Sequence, residues 1–213
     1  MSSRAEILST IKRRLAVAES GGDRQLAVKE RLESHRQATR PLMSLSAGHE
    51  RIDQFVDKAK AKGAELHRVD SANELSVLIE SIRGGYHCSV TPGTASFGLT
   101  GNFQPWTLKS STDCCVSIAE CGISETGTLV LVGDEQNPTS QIFLADNHIV
   151  LLSQSEIEDS MESVWKRLRS ANIEPRHLTM VSGPSSTGDI ELQMEKGVHG
   201  PRELNIILLT YEL

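Results

Sequence analysis

No stretch of this 213-residue chain stays apolar for anything close to the roughly 18 residues that a membrane-crossing helix needs. The opening residues, Met1 to Glu6, lack the apolar segment of a secretory leader. The expectation is a cytoplasmic protein without membrane contact. A basic excess is missing too: 22 Lys and Arg stand against 28 Asp and Glu, for a net charge of −6. Nucleic acid is therefore not expected as a partner, because phosphate binding needs a concentrated basic face. The four cysteines, Cys88, Cys114, Cys115 and Cys121, form no Cys-x-x-Cys pair. On a strand the adjacent Cys114 and Cys115 point to opposite faces and cannot share a metal. The histidines show no metal-ligand spacing, and there is no Gly-x-Gly-x-x-Gly dinucleotide fingerprint. These absences predict no bound metal, no cofactor, and buried thiols of the cytosolic kind. Cys121 is the thiol to watch, because it begins a glycine-containing loop.

What is present divides near Pro41. Residues 1–40 read as an N-terminal helical arm, with Ile7, Leu8, Ile11, Leu15 and Ala18 at helical spacing. Gly21-Gly22 breaks that helix, and Leu26, Val28 and Leu32 mark a second segment. Its basic clusters suit either a solvated face or a docking arm for a partner. Residues 41–213 alternate helix and strand, the pattern of an α/β protein. Helices are expected over Arg51 to Ala61, Asn73 to Ile82 and Ile157 to Leu168. Strands are expected at Ala64 to Val69, Tyr86 to Val90, Cys115 to Ala119, Gly127 to Val132, His148 to Leu152, Leu178 to Ser182 and Leu204 to Leu209, forming a Rossmann-like mixed sheet flanked by helices. The 127–132 and 148–152 strands read as antiparallel or loop-joined.

Three loops carry chemistry. In Gly183-Pro184-Ser185-Ser186-Thr187-Gly188-Asp189, followed by Gly197-Val198-His199-Gly200-Pro201, glycine permits close backbone approach and hydroxyls offer donors. If a helix follows, its N-terminus suits a small carboxylate or phosphorylated ligand. The competing reading is structural: Asp189 as N-cap and Gly197 as C-cap of a short helix. His199 stands among Gly and Pro and serves equally as acid, base, donor or simple turn residue. In the second loop, Ser124-Glu125-Thr126-Gly127-Thr128, Glu125 can act as nucleophile or base, or can merely close the turn. Thr91 to Ser96 forms a further hydroxyl-rich strand end.

Taken together, Ile123 to Leu131, Phe143 to Leu151, Ser182 to Glu191 and Gly197 to Pro201 resemble the lactate utilization protein C family, whose core is the LUD domain. The resemblance spans roughly Arg40 to the C-terminus. It implies a fold like that of ribose-5-phosphate isomerase and the CoA-transferases. It also implies work alongside two iron-sulfur partner proteins that oxidise L-lactate to pyruvate, this chain being the non-redox, ligand-binding or docking component. Ser124 to Gly127 is similar to the Ser-Glu-Asn-Gly signature of class I CoA-transferases, whose glutamate carries the acyl intermediate. An alternative is thus a stand-alone enzyme, of the transferase or methenyltetrahydrofolate synthetase kind, using Glu125, Asp189 and His199. Ser186 stands where the family commonly has arginine, which removes a guanidinium clamp for an anion. Ala145 replaces a common proline.

Overall fold

The computed structural model describes residues 4–14, 21–34, 47–107, 113–188 and 194–211. Two compact units emerge, Met1–Thr39 and Arg40–Leu213. The first contains helices α1 (Arg4–Arg14) and α2 (Gly21–Ser34), the latter beginning at the glycine pair read above as a breaker. Pro41 lies outside the described residues.

The second unit is built on a six-stranded parallel sheet. Its strands are β1 (Glu65–Val69), β2 (Cys88–Val90), β3 (Gln104–Pro105), β4 (Cys114–Ile118), β7 (Asn147–Ser153) and β12 (Glu203–Leu209), in the order β1-β12-β7-β4-β2-β3. A four-stranded sheet, β8-β5-β6-β9, joins β5 (Cys121–Ile123), β6 (Thr128–Gly133), β8 (Ile157–Glu158) and β9 (His177–Val181). Within it β5–β8 is parallel while β5–β6 and β6–β9 are antiparallel. The α/β expectation holds, with the mixture of strand directions confined to the smaller sheet.

Period-two alternation explains how the central strands serve two cores. On β12, Leu204, Ile206 and Leu208 enter one cluster while Ile207 and Leu209 enter another; on β7, Val150 and Leu152 part from Ile149 and Leu151 in the same way. The first cluster packs against β6 (Leu129, Leu131) and helix α3 (Gly48–Ala61) through Phe55 and Ala59. The second is covered by helix α4 (Ala72–Arg83), whose N-cap Ser71 accepts from Glu74 N, through Leu75 and Ile79. Beyond the small sheet, helix α6 (Met161–Ser170) packs Val164 and Leu168 on Cys121, Ile123 and Val130.

Several elements differ from the sequence reading. β6 and β7 do not pair; they lie in different sheets, joined through helix α5 (Thr139–Leu144), too short to show periodicity. Helix α6 starts only after its N-cap Ser160, because Ile157–Glu158 is spent as strand β8. Cys121 sits within β5 rather than in a loop. The helix expected between Asp189 and Gly197 does not form at its described end: β10 (Ser186–Gly188) pairs antiparallel with β11 (Met194–Lys196). β9 is an edge strand and only half-buried.

Register across three parallel strands is fixed by a polar ladder centred on the buried Asn205 and Asn147. His67 shares a 3.0 Å bond with Asn205 Oδ1, Asn205 Nδ2 donates to Asn147 Oδ1 at 3.0 Å, and Asn147 Nδ2 donates to Glu203 Oε2 at 3.1 Å. A one-residue slip would turn these groups into the opposite apolar cluster. Replacing Asn205 by Leu removes the middle of the ladder and leaves the half-buried His67 ring on one side and the buried Asn147 Oδ1 on the other without their partner. We expect a loss of about 2 kcal/mol in denaturant unfolding. A wild-type midpoint in that variant would show that packing alone sets the register.

Candidate functional site

Ser185 ties the two C-terminal loops together. Its N–H donates to Pro201 O at 2.8 Å, its carbonyl accepts from Gly197 N at 3.0 Å, and its Oγ accepts from His199 N at 3.4 Å. Gly183 (φ +95°) brings the chain so close to helix α3 that a Cβ would stand 2.5 Å from Lys62 O. The resulting bend, with Pro184, Gly200 and Pro201, walls a cavity of about 270 Å³. Its other walls are β9, α5 through Ile142 and Phe143, and two side chains from the parallel sheet, His148 and Leu204. Both are the second residues of their strands, so the cavity lies at the amino ends of the parallel sheet, opposite to the edge that open α/β sheets commonly use.

The expected site residues divide as follows. Gly183, Pro184, Ser185, His199 and Gly200 line this cavity. Ser186 and Thr187 lie on exposed β10 and do not. Asp189 is outside the described residues. The anion reading loses its helix N-terminus at the described end of this loop, where β11 replaces helix, and Gly197 (φ +79°) follows a strand instead of capping a helix.

Glu125 lies half-buried in the turn between β5 and β6, its N–H donating to Asp159 O at 3.2 Å, and it is not among the cavity's lining residues. Its loop nevertheless reaches the cavity wall through hydroxyls. Thr126 Oγ1 shares a 2.7 Å bond with Thr128 Oγ1, which in turn bonds Ser182 Oγ, a lining residue. Gly127 (φ +62°) permits this, because a Cβ there would meet Ala59 N at 2.4 Å.

His148 is the residue that sequence reasoning missed. It is wholly buried, its Nε2 shares a 2.7 Å bond with Ser117 Oγ, and its Nδ1 has no partner. Burial pushes the imidazole down to about 3 by penalising the charged form. The available signal was a polar residue at inward positions of two adjacent buried strands, Ser117 on β4 and His148 on β7.

A second cavity of about 340 Å³ lies at the carboxyl ends of β7 and β12, lined by Ser153, Thr210, Tyr211, Arg51 and the first residues of α3, Gly48 and His49. Arg51 Nη1 donates to Ile157 O at 3.0 Å. This cavity, and not the first, offers a guanidinium to an anion. Near the Thr91 strand end, a short 3-10 helix (Pro92–Phe97) places Gly93 in a smaller recess of about 160 Å³ with Asn137.

The thiols are all free and buried. Burial raises Cys121 to about 12 and pushes Cys115 well up. Cys114, hydrogen-bonded to the Cys88 sulfur at 3.3 Å, is likewise raised. A reactive Cys121 thiolate is thereby disfavoured.

Residues 108–209 match the LUD domain. An uncharacterized protein of Neisseria meningitidis is 27% identical over 75% of this chain and 77% of its own length. Lactate utilization protein C of Deinococcus radiodurans is 27% identical over 74% of this chain and 79% of its own. The crystal structure of a DUF162-family protein from Deinococcus radiodurans superposes with a TM-score of 0.62 at 26% identity, covering 80% of this chain and all of that one. The resemblance carried by the sequence motifs, and the α/β fold, are shown by these likenesses.

The buried imidazole makes stability depend on pH with a definite sign. The unfolded chain takes up a proton at His148 near pH 6.5, whereas the folded chain refuses it until about pH 3. Stabilisation from this group is complete above pH 6.5 and is lost as the pH falls toward 3. Between pH 7 and 4.5 the wild type should lose about 2 kcal/mol more than His148→Gln. Equal losses by denaturant titration would mean that the ring is not held neutral.

Proposed function

We propose that this LUD-domain chain serves L-lactate utilization as a non-redox component that binds a small metabolite and docks with iron-sulfur proteins, which carry the electrons as L-lactate becomes pyruvate. The observation that carries the reading is the likeness to a lactate utilization protein C across three quarters of both chains. The chemistry of its own residues agrees with this division of labour. Cys88, Cys114, Cys115 and Cys121 are built into strands and hydrogen-bonded or desolvated in the cores, so the thiolate donor set of a cluster does not fit this fold. On this reading the electron carriers are the partners. Four unpaired buried thiols also agree with a reducing, cytoplasmic setting.

The metabolite is assigned to the cavity between Gly183–Ser185 and His199–Pro201. Docking is assigned to the arm. Ile7, Leu8 and Ile11 on α1, and Leu26, Val28 and Leu32 on α2, are all about half or more exposed, although they are spaced as burying stripes. The first 40 residues carry nine Lys and Arg against five Asp and Glu, while the remainder of the chain is acidic. A basic amphipathic segment of this kind suits an acidic, partly apolar partner surface.

Two experiments test the reading. Reconstituted iron-sulfur partners should reduce a dye in the presence of L-lactate only when this chain is added; reduction that is indifferent to it removes the lactate assignment. Substituting Leu8 and Leu26 together by Gln should cut co-purification with those partners roughly tenfold while leaving the unfolding midpoint within about 0.5 kcal/mol, as surface changes do. Undiminished co-purification would move docking away from the arm.

A further inference from the structure

Burial decides which charges a fold has to neutralise, and three arginines among the described residues are half-buried: Arg51, Arg83 and Arg167. Arg83 pairs with Glu80 at 2.6 Å, and Arg167 is held by Glu120, Glu156 and Glu158. Arg51 has no acidic partner among the described residues. Its hydrogen bond goes instead to a neutral carbonyl, Ile157 O, at 3.0 Å, which engages one of the five guanidinium N–H groups. The carboxylates around it are committed elsewhere. Glu156 and Glu158 face Arg167, Asp53 pairs with Arg68 at 3.4 Å, and Asp70 Oδ1 accepts from Thr210 Oγ1. Glu50 belongs to a different cleft of α3, shared with Asp53 and Asp57. A cation partly withdrawn from water without a counter-charge is unfavourable, and a bound anion offsets that cost.

The Arg51 side chain runs from helix α3 to the first residue of β8, and Arg51 and Ile157 both line the cavity of about 340 Å³. Ser153 and Leu209, the last residues of β7 and β12, line it as well, which places it at the carboxyl edge of the parallel sheet, where open α/β sheets usually receive ligands. The lining contains no carboxylate, and its other polar groups are able to donate. His49 and Ser155 are exposed there, and Gly48, the first residue of α3, has only backbone to present. Ala47 at the N-cap brings no side-chain oxygen to that first turn. The volume falls at the low end of ligand pockets, enough for a small metabolite. The cavity beside Gly183 differs in charge, its lining having neither lysine nor arginine, and it meets β12 at Leu204, near the opposite end of that strand.

We propose that the cavity between α3 and the carboxyl ends of β7 and β12 is a second ligand site, which takes the oxyanion of a small metabolite. Arg51 supplies the counter-charge, and His49, Ser155 and the first turn of α3 add donors. Carboxylate and phosphoryl groups share this chemistry, and the test separates them. It is nitrogen-15 NMR of the full-length chain at constant pH and ionic strength, following the Arg51 side-chain Nε–H and the Gly48 amide as sodium phosphate or sodium acetate replaces sodium chloride. Both signals should move along one saturating curve with at least one of the two anions. Saturation by phosphate alone assigns a phosphoryl ligand, and by acetate alone a carboxylate. Arg51→Gln should weaken that binding at least tenfold, the scale of a hydrogen bond to a charged group. Arg202→Gln, at an exposed arginine just before the amino end of β12, should leave it unchanged. Shifts that are absent or only linear with both anions, equal affinity in Arg51→Gln, or equal losses in the two variants overturn the proposal. The wild-type titration decides by itself should Arg51→Gln fold poorly. Neither a partner protein nor lactate enters the experiment, so its outcome is read separately from the lactate assay.

Discussion

Helix α3 lies against bare backbone, and the arrangement of the candidate site depends on that contact. A Cβ on Gly122 would stand 2.9 Å from the Phe55 ring, one on Gly127 2.4 Å from Ala59 N, and one on Gly183 2.5 Å from Lys62 O. These three glycines belong to strand β5, to the turn bearing Glu125, and to the loop that walls the cavity. One helix face therefore seats all three segments, and it does so at distances that a side chain would forbid. At Gly127 and Gly183 the positive φ adds a second reason for glycine. Thr126, Thr128 and Ser182 come together because the backbone on either side of them is pressed to the same helix.

Part of this was legible in the sequence and part was not, for identifiable reasons. The long apolar strands β7 and β12 and the amphipathic helices α3, α4 and α6 announce themselves because each buries a continuous face. Strands β3 and β8, of two residues each, are too short to carry a period. The segment from Asp189 to Gly197 holds cap-like residues at helical spacing, yet Ser186 and Lys196 pair across a hairpin; pairing partners leave no trace in local pattern. Gly183 to Ser185 and His199 to Gly200 stood out because glycine and proline punctuate a chain. His148 did not, since inside an apolar run a histidine reads as one more strand residue.

The unpaired polar atoms sharpen that last point. Three of the buried orphans among the described residues also line cavities: His148 Nδ1, Asn137 Oδ1 and Tyr211 Oη. Asn137 and Tyr211 keep part of their surface exposed, so a small shift brings either to water; His148 is fully enclosed and has no such relief. The same amino end of the sheet shows what a purely structural polar group looks like. His67, Asn205, Asn147 and Glu203 pass hydrogen bonds from strand to strand with each amide engaged on both sides. One face of the sheet there is a completed network and the other an incomplete one. Folding alone requires only the completed kind. An imidazole held neutral by burial, bonded at one nitrogen to Ser117 and unpaired at the other, is the incomplete kind.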